Sequence, residues 1–302
     1  MNYHRPSLFW PIVLIGVGVI FLLNNAGVIQ GNPWAIIWQL WPVLLIVIGL
    51  DILFGRRSAA GSIVGAVLAL ALVGGVIWLL VARPDIPGLN FGGELTTDSV
   101  EYPLKEIRSA NVTLNFSTGT NDLHALSDSP NLIEAELRHY GTLRTEFSDL
   151  GSQADLEIGV QENISIPGFG GEERWEVGLN PRVTYDLNLN LGVGQSTIDL
   201  SRLTLSGGQI SVGVGSSEVR LPSSGRFRLS IDGGVGQLVI RAPRDVALRA
   251  EVDTGVGSFS SPGGRLRQVG EDIYETDDFD SAEDRITLIV DVGVGSVVIQ
   301  NE

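Results

Sequence analysis

Five copies of Gly-Val-Gly punctuate the second half of the chain, at Gly192-Val193-Gly194, Gly213-Val214-Gly215, Gly234-Val235-Gly236, Gly255-Val256-Gly257 and Gly293-Val294-Gly295. Glycines at this spacing can do chemistry, because backbone N–H groups with no side chains around them cradle phosphate in nucleotide loops. No copy has the third glycine of G-x-G-x-x-G, and no copy opens a helical pattern. The glycines therefore read as tight corners. The calcium-binding G-G-x-G-x-D repeat is also absent, since no Asp follows at the required place.

Other residue types that could carry catalysis are sparse. The chain has no cysteine, which excludes a thiol nucleophile, a disulfide framework and a thiolate-held zinc or iron–sulfur centre. Three histidines are too few for a histidine-rich metal site. His124 and His139 stand outside H-E-x-x-H and away from any G-x-S-x-G serine, and read as packing or surface residues. Glu271-Asp272 and the run from Asp277 to Asp284 form the densest acidic cluster, without the glycine and closing glutamate of a calcium loop. A solvated acidic loop is expected there. Asn111-Val112-Thr113 matches a glycosylation acceptor, which matters only in a eukaryotic secretory pathway. No catalytic residue, metal ligand or cofactor is expected.

The elements that position these residues divide the chain in two. The first 84 of its 302 residues carry four arginines against the single acid Asp51, and the remainder carries 16 basic and 34 acidic side chains. The chain-wide charge of −15 is therefore +3 at one end and −18 at the other. An acidic domain of that size repels phosphate backbones, so nucleic acid is not a partner.

Residues 1–83 are expected to be transmembrane helices, with spans at 8–23, 34–54 and 63–82. The second and third are about 20 residues long, the length that crosses a ~30 Å hydrocarbon core. Arg5 precedes the first span and Arg56-Arg57 separate the second and third, which places the N-terminus in the cytoplasm and everything after Arg83 outside. Trp10-Pro11-x-x-Leu14-Ile15-x-x-Gly18 recurs as Trp41-Pro42-x-x-Leu45-Ile46-x-x-Gly49. Trp favours the interface, and Pro is cheap in a first helical turn. Asp51 sits near the cytoplasmic end of its span, within reach of water and Arg56-Arg57, and reads as an anchor.

Residues 84–94, rich in Pro and Gly, read as a linker. From residue 95 to 302 an all-β domain is expected, with strand-length segments at 111–116, 132–137 and 154–160. The Gly-Val-Gly copies spanning 192–295 recur every 21 residues, the last delayed by a 17-residue insertion. Leu189, Ile210, Ile231, Val252 and Val290 stand four positions before each central valine. Ile198, Val219, Ile240, Ser261 and Ile299 stand five after, with one polar exception. Strand, tight turn, strand, repeated at this period, predicts a β-solenoid with 21-residue coils whose neighbours stack and share a core. The central valine is expected to point inward with the strand residues. A β-sandwich of the same strand pairs is the structural alternative.

The Trp-Pro-x-x-Leu-Ile-x-x-Gly pair resembles the transmembrane module of LiaI/LiaF-like and PspC-like bacterial envelope proteins. The stretch from Trp175-Glu176-Val177 through Leu187–Gly194 to Leu221-Pro222 resembles the toast-rack β domain of LiaF-like proteins. The resemblance implies a multi-pass plasma-membrane protein with an extracytoplasmic C-terminal domain that modulates the cell-envelope stress response without being an enzyme. Its implied partners are membrane lipid and a membrane protein such as a sensor histidine kinase, with self-association possible. The competing expectation is a structural or adhesive envelope protein whose solenoid binds polymer, lipid headgroups or itself.

Overall fold

The computed structural model describes residues 9–25, 95–161 and 172–302, with isolated positions at 45–46, 67, 71, 74–75 and 78. The chain forms two compact units. One comprises Met1–Glu94 with Glu162–Gly171, the other Leu95–Gln161 with Glu172–Glu302.

In the first unit, α1 (Phe9–Asn25) is an uncharged helix of 17 residues. At 1.5 Å per residue it is about 25 Å long. No helix among the described residues is long and apolar enough to cross a membrane. Trp10 and Pro11 lie in the first turn of α1, where proline's missing N–H costs nothing. The expected spans 34–54 and 63–82 fall outside the described residues apart from isolated helical positions, and the linker 84–94 and Trp41-Pro42 lie wholly outside them.

The second unit is all β. Its first part supplies β1 (Thr96–Pro103), β2 (Ser109–Asn115), β3 (Gly119–Ala125), β4 (Asn131–His139), β5 (Thr142–Asp149), β6 (Gln153–Gln161) and β7 (Arg174–Leu179). The repeats then form β8 (Thr184–Asp199), β9 (Thr204–Arg220), β10 (Arg226–Ala242) and β11 (Ala247–Ser260). Two short strands, β12 (Arg267–Gly270) and β13 (Ile273–Glu275), precede the last long one, β14 (Arg285–Asn301).

The long strands stack in parallel and in register, so that each Gly-Val-Gly lies against the next: Val193 pairs with Val214, Val214 with Val235, Val235 with Val294 and Val294 with Val256. The motif does not end a strand. Each strand runs through it, and the two halves on either side contribute to one apolar core that includes Leu189, Ile198, Ile231, Ile240, Val290 and Ile299. One bent strand thus furnishes both walls. Further along the stack, β2 pairs with the first half of β8 and β3 with the second, while β6 pairs with β2 and β7 with β3. Gly119 there takes the place of the second motif glycine, opposite Gly194.

Burial changes parity across the motif. In β8, Tyr185, Leu187, Leu189 and Leu191 are buried before the bend, and Ser196 and Ile198 after it. The inward set moves from odd to even numbers, and the residues that absorb the slip face solvent. The expectation of inward valines is therefore wrong: Val193, Val214, Val235, Val256 and Val294 are all exposed, at 45–69%.

The stacking order also departs from simple succession. The spatial order is β8-β9-β10-β14-β11, so the last repeat lies between the third and fourth. Composition gives the reason. An inner rung is covered on both sides, and β14 brings Ile286, Leu288, Val290, Val292, Val297 and Ile299, all buried. After its motif β11 offers only Ser258-Phe259-Ser260, and its earlier half carries Arg249, Glu251 and Asp253. That strand suits an edge. Antiparallel β13 pairs with Arg249–Glu251 and closes that part of the edge, while at the other end β5 caps β6, and β4 lies on β7 with β1 as the terminal strand beyond it.

The second glycines set the spacing of the stack. Gly194, Gly215, Gly236 and Gly295 have φ between 141° and 150°, a region closed to ordinary L residues. A Cβ at Gly236 would land on the Gly215 carbonyl, and one at Gly295 on the Gly236 carbonyl. Gly236→Ala combines a forbidden φ with a backbone collision and is expected to cost about 3 kcal/mol or more. Val235→Thr, one residue away and exposed, should cost less than about 1 kcal/mol. Denaturant unfolding of the two full-length variants in detergent, followed by far-ultraviolet circular dichroism, checks the contrast. Equal losses would contradict the outward valine.

Candidate functional site

The expected site residues fall into rows. The first and second motif glycines form two rows along the stack, and between them runs a row of exposed valines. Beside Val235 the glycines leave a shallow depression lined by Val212, Gly215, Gly233, Gly236, Leu238 and Val292. Nothing in it is titratable. Gln237 also lines it, and Leu238 and Val292 belong to the core, so the depression reaches inward at the bend.

Asp232, Asp291 and Asp253 stand in register on adjacent rungs, each exposed and each three residues before its valine. Like charges directly opposite one another oppose folding. The Gln209 amide donates to Asp232 at 2.9 Å, which offsets a little of the repulsion.

On the second half of the same rungs the charges are paired. Glu218 accepts from Arg241 Nε at 2.7 Å and from Arg220 Nε at 3.2 Å, and Arg220 also approaches Asp199 at 3.6 Å and Glu302 at 3.4 Å. The hydrogen bond from Arg241 holds the Glu218 carboxyl below its ordinary value, outweighing partial burial. Burial raises Asp199, but bonds from the Ser201 hydroxyl and N–H overcome it and leave that carboxyl lowered as well.

Most acids of the acidic segment are exposed to solvent, and some of its carboxylates also have protein partners. Glu275 takes Arg249 at 2.8 Å, Asp277 takes Arg267 at 3.1 Å, and Asp284 accepts the Gly225 N–H at 2.7 Å. The Arg249 guanidinium also lies 4.3 Å from the centroid of Phe279, whose ring is buried. The segment runs from β13, paired on the outer side of β11, to the start of β14. No group of three metal-ligating side chains is found among the described residues. His139 is buried with Nε2 at 3.0 Å from Asp98, and the half-buried His124 has Nδ1 at 2.9 Å from Asp122. Asn111 sits inside β2 and donates to Asp155 at 2.7 Å.

Two family models match this chain. Residues 91–241 match the N-terminal domain of toast_rack. The chain belongs to the toast-rack family. Residues 8–53 match the LiaI-LiaF-like transmembrane region, and the two matches together make this a LiaF-like toast-rack protein. No curated protein matches the chain. A crystal structure of a proposed cell adhesion protein from Clostridium sporogenes ATCC 15579 is similar at 19% identity and a TM-score of 0.61, covering 69% of this chain and all of that one. That likeness is one of fold. A proposed adhesin from Bacteroides fragilis NCTC 9343 matches at 14% identity over 68% of this chain and 97% of its own, with a TM-score of only 0.25.

The row of valines is what reading the sequence missed. Its signal was present: buried residues fall at even offsets before the valine and odd offsets after it, which leaves the valine on neither inner face.

Glu218 also yields a pH dependence. A carboxyl lowered by folding adds stability above its unfolded value, near 4.5, and that stability is lost as pH falls through the lower folded value. The pair is partly exposed, so the gain is within about 1 kcal/mol. Thermal melts of wild type and Glu218→Gln should differ at pH 7 and draw together as the pH falls below the unfolded value of the carboxyl. A gap that does not narrow on acidification would contradict the assignment.

Proposed function

We propose that this chain is a membrane-anchored, non-enzymatic regulator of the bacterial cell-envelope stress response. The observation that carries this reading is the union of a LiaI-LiaF-like transmembrane region with a toast-rack domain in one polypeptide. On this reading the spans 8–23, 34–54 and 63–82 cross the plasma membrane. The N-terminus is cytoplasmic, and the β-solenoid of 21-residue coils stands outside. Regulation is by contact with a membrane partner, a sensor histidine kinase, which is released when wall or membrane is perturbed. The charge distribution supports it, since the arginines of the first 84 residues fall where the positive-inside rule needs them.

A second reading, a structural or adhesive envelope module, draws on the exposed valine row and on the fold shared with the proposed adhesion protein. In that case the domain binds envelope polymer, lipid headgroups or further copies of itself.

One experiment separates these readings, and a second tests the orientation they share. Crosslinked native membranes, with partners identified by mass spectrometry before and after a wall-acting antibiotic, should yield a kinase at rest and lose it under stress. Polymer or self-association alone, unchanged by the antibiotic, would favour the adhesive module. Topology is testable because the chain has no native thiol. Ser58→Cys should resist an impermeant thiol reagent in intact cells, and Ser223→Cys, at an exposed loop, should react. The reverse pattern would overturn the orientation.

A further inference from the structure

We propose that the bend of the stacked strands is a docking ridge for a basic amphipathic helix of a protein partner, its apolar side on the valine row and its cationic side on the aspartate row. The proposal stands on the outer domain's own geometry and holds whether or not the partner is a kinase.

The argument begins with what an exposed repeat costs. Val193, Val214, Val235, Val294 and Val256 succeed one another on adjacent rungs, and each is 45–69% exposed. Rungs lie ~4.8 Å apart, so five valines make a continuous apolar line of about 19 Å. Isolated exposed apolar residues need no explanation, but an ordered line of them does. Each valine stands between two glycines, so no neighbouring side chain in its own strand crowds it. A partner's side chains can straddle the ridge there.

Spacing favours a helix lying along the stack. Same-face helical residues rise about 5–6 Å per turn, close to the rung spacing, whereas same-face strand residues rise about 6.6 Å. A line of about 19 Å matches three to four helical turns.

Charge selects among occupants. Asp232, Asp291 and Asp253 form a second row within ~10 Å of the valines, three strand residues away. None of the three is in an ion pair among the described residues. Residues 85–302 carry −18 overall. A second copy of this chain would bring the same charge to the contact, and an anionic lipid surface would be repelled likewise. A segment with an apolar face and a basic face relieves the aspartate row and covers the valines at once.

The test uses the full-length chain in detergent and a synthetic lysine–leucine peptide of about 18 residues with helical amphipathic spacing, its binding followed by fluorescence anisotropy. Controls are a scrambled peptide of equal composition and a glutamate–leucine counterpart. The amphipathic basic peptide should bind saturably, at least tenfold more tightly than either control. Val214→Thr/Val235→Thr/Val294→Thr keeps the shape and strand preference of each exposed site, and should weaken binding tenfold or more with an unchanged melting curve. Asp232→Asn/Asp253→Asn/Asp291→Asn should weaken it similarly and flatten its salt dependence. Equal binding of the scrambled peptide would reduce the effect to bulk charge and overturn the proposal. So would unaltered affinity in the valine variant. Sizing by light scattering gives the remaining outcome: if the valine variant changes only the oligomeric mass, the ridge serves a second copy and the proposal fails.

Discussion

The closeness of one backbone to the next at the second motif glycine constrains the rest of the β domain. At Gly194, Gly215, Gly236 and Gly295 the chain takes a positive φ, and the carbonyl of the rung before sits where a Cβ would be. Once that contact is fixed, the rungs must lie in register, because a slip of one residue would place a side chain on a carbonyl. Register in turn aligns the inner faces. Leu189, Ile210, Ile231, Val290 and Val252 fall on one wall, and Ile198, Val219, Ile240 and Ile299 on the other. A small residue at the bend thus specifies a large core, and the hydrophobic burial that stabilises the domain depends on it.

The same constraint explains how the inserted repeat finds its place. Any of the long strands satisfies the glycine contact, so glycine alone does not decide the order. Side chains decide it. β14 is apolar on both sides of its bend and would waste that surface at an edge, whereas β11 has a polar second half and charged residues that tolerate exposure. The acidic segment between them is bound to arginines: Arg249 on β11 holds Glu275 and stacks on Phe279, and Asp284 reaches the Gly225 N–H ahead of β10. The solvated acidic stretch is also the connection that returns the chain past β11 to β14.

Much of this was legible in the residues. The 21-residue period gave the in-register parallel pairing, and the alternation on either side of each motif gave the two walls. The single polar exception at the fifth position after the motif, Ser261, fell on the repeat that proves to be the edge. One thing was read wrongly and two were not read at all, each for a physical reason. The level formed by β2 and β3 keeps only Gly119 of the motif, because its neighbour on one side is split into separate strands and a full motif is not required. The order of β14 and β11 depends on which strand can bear an edge, a comparison between repeats and not a pattern within one. The valines were assigned inward because alternation was extended through the motif. The parity change, even offsets before and odd after, had already excluded that.

That parity change bears on function. A corner must shift the alternation if both walls are to face one core, and the residue absorbing the shift has no interior to enter. Repetition then multiplies a local necessity into a row, so the fold cannot avoid presenting whatever occupies that position along the whole bend. Geometry requires exposure there, but it does not require valine. Serine or threonine would satisfy the same backbone, and threonine would match the strand preference. Five valines in succession thus exceed what the corner asks for. Three stacked aspartates next to them run against folding rather than with it. Residues that the fold neither needs nor favours, arrayed at the spacing the fold imposes, are the observation on which the proposed docking ridge rests.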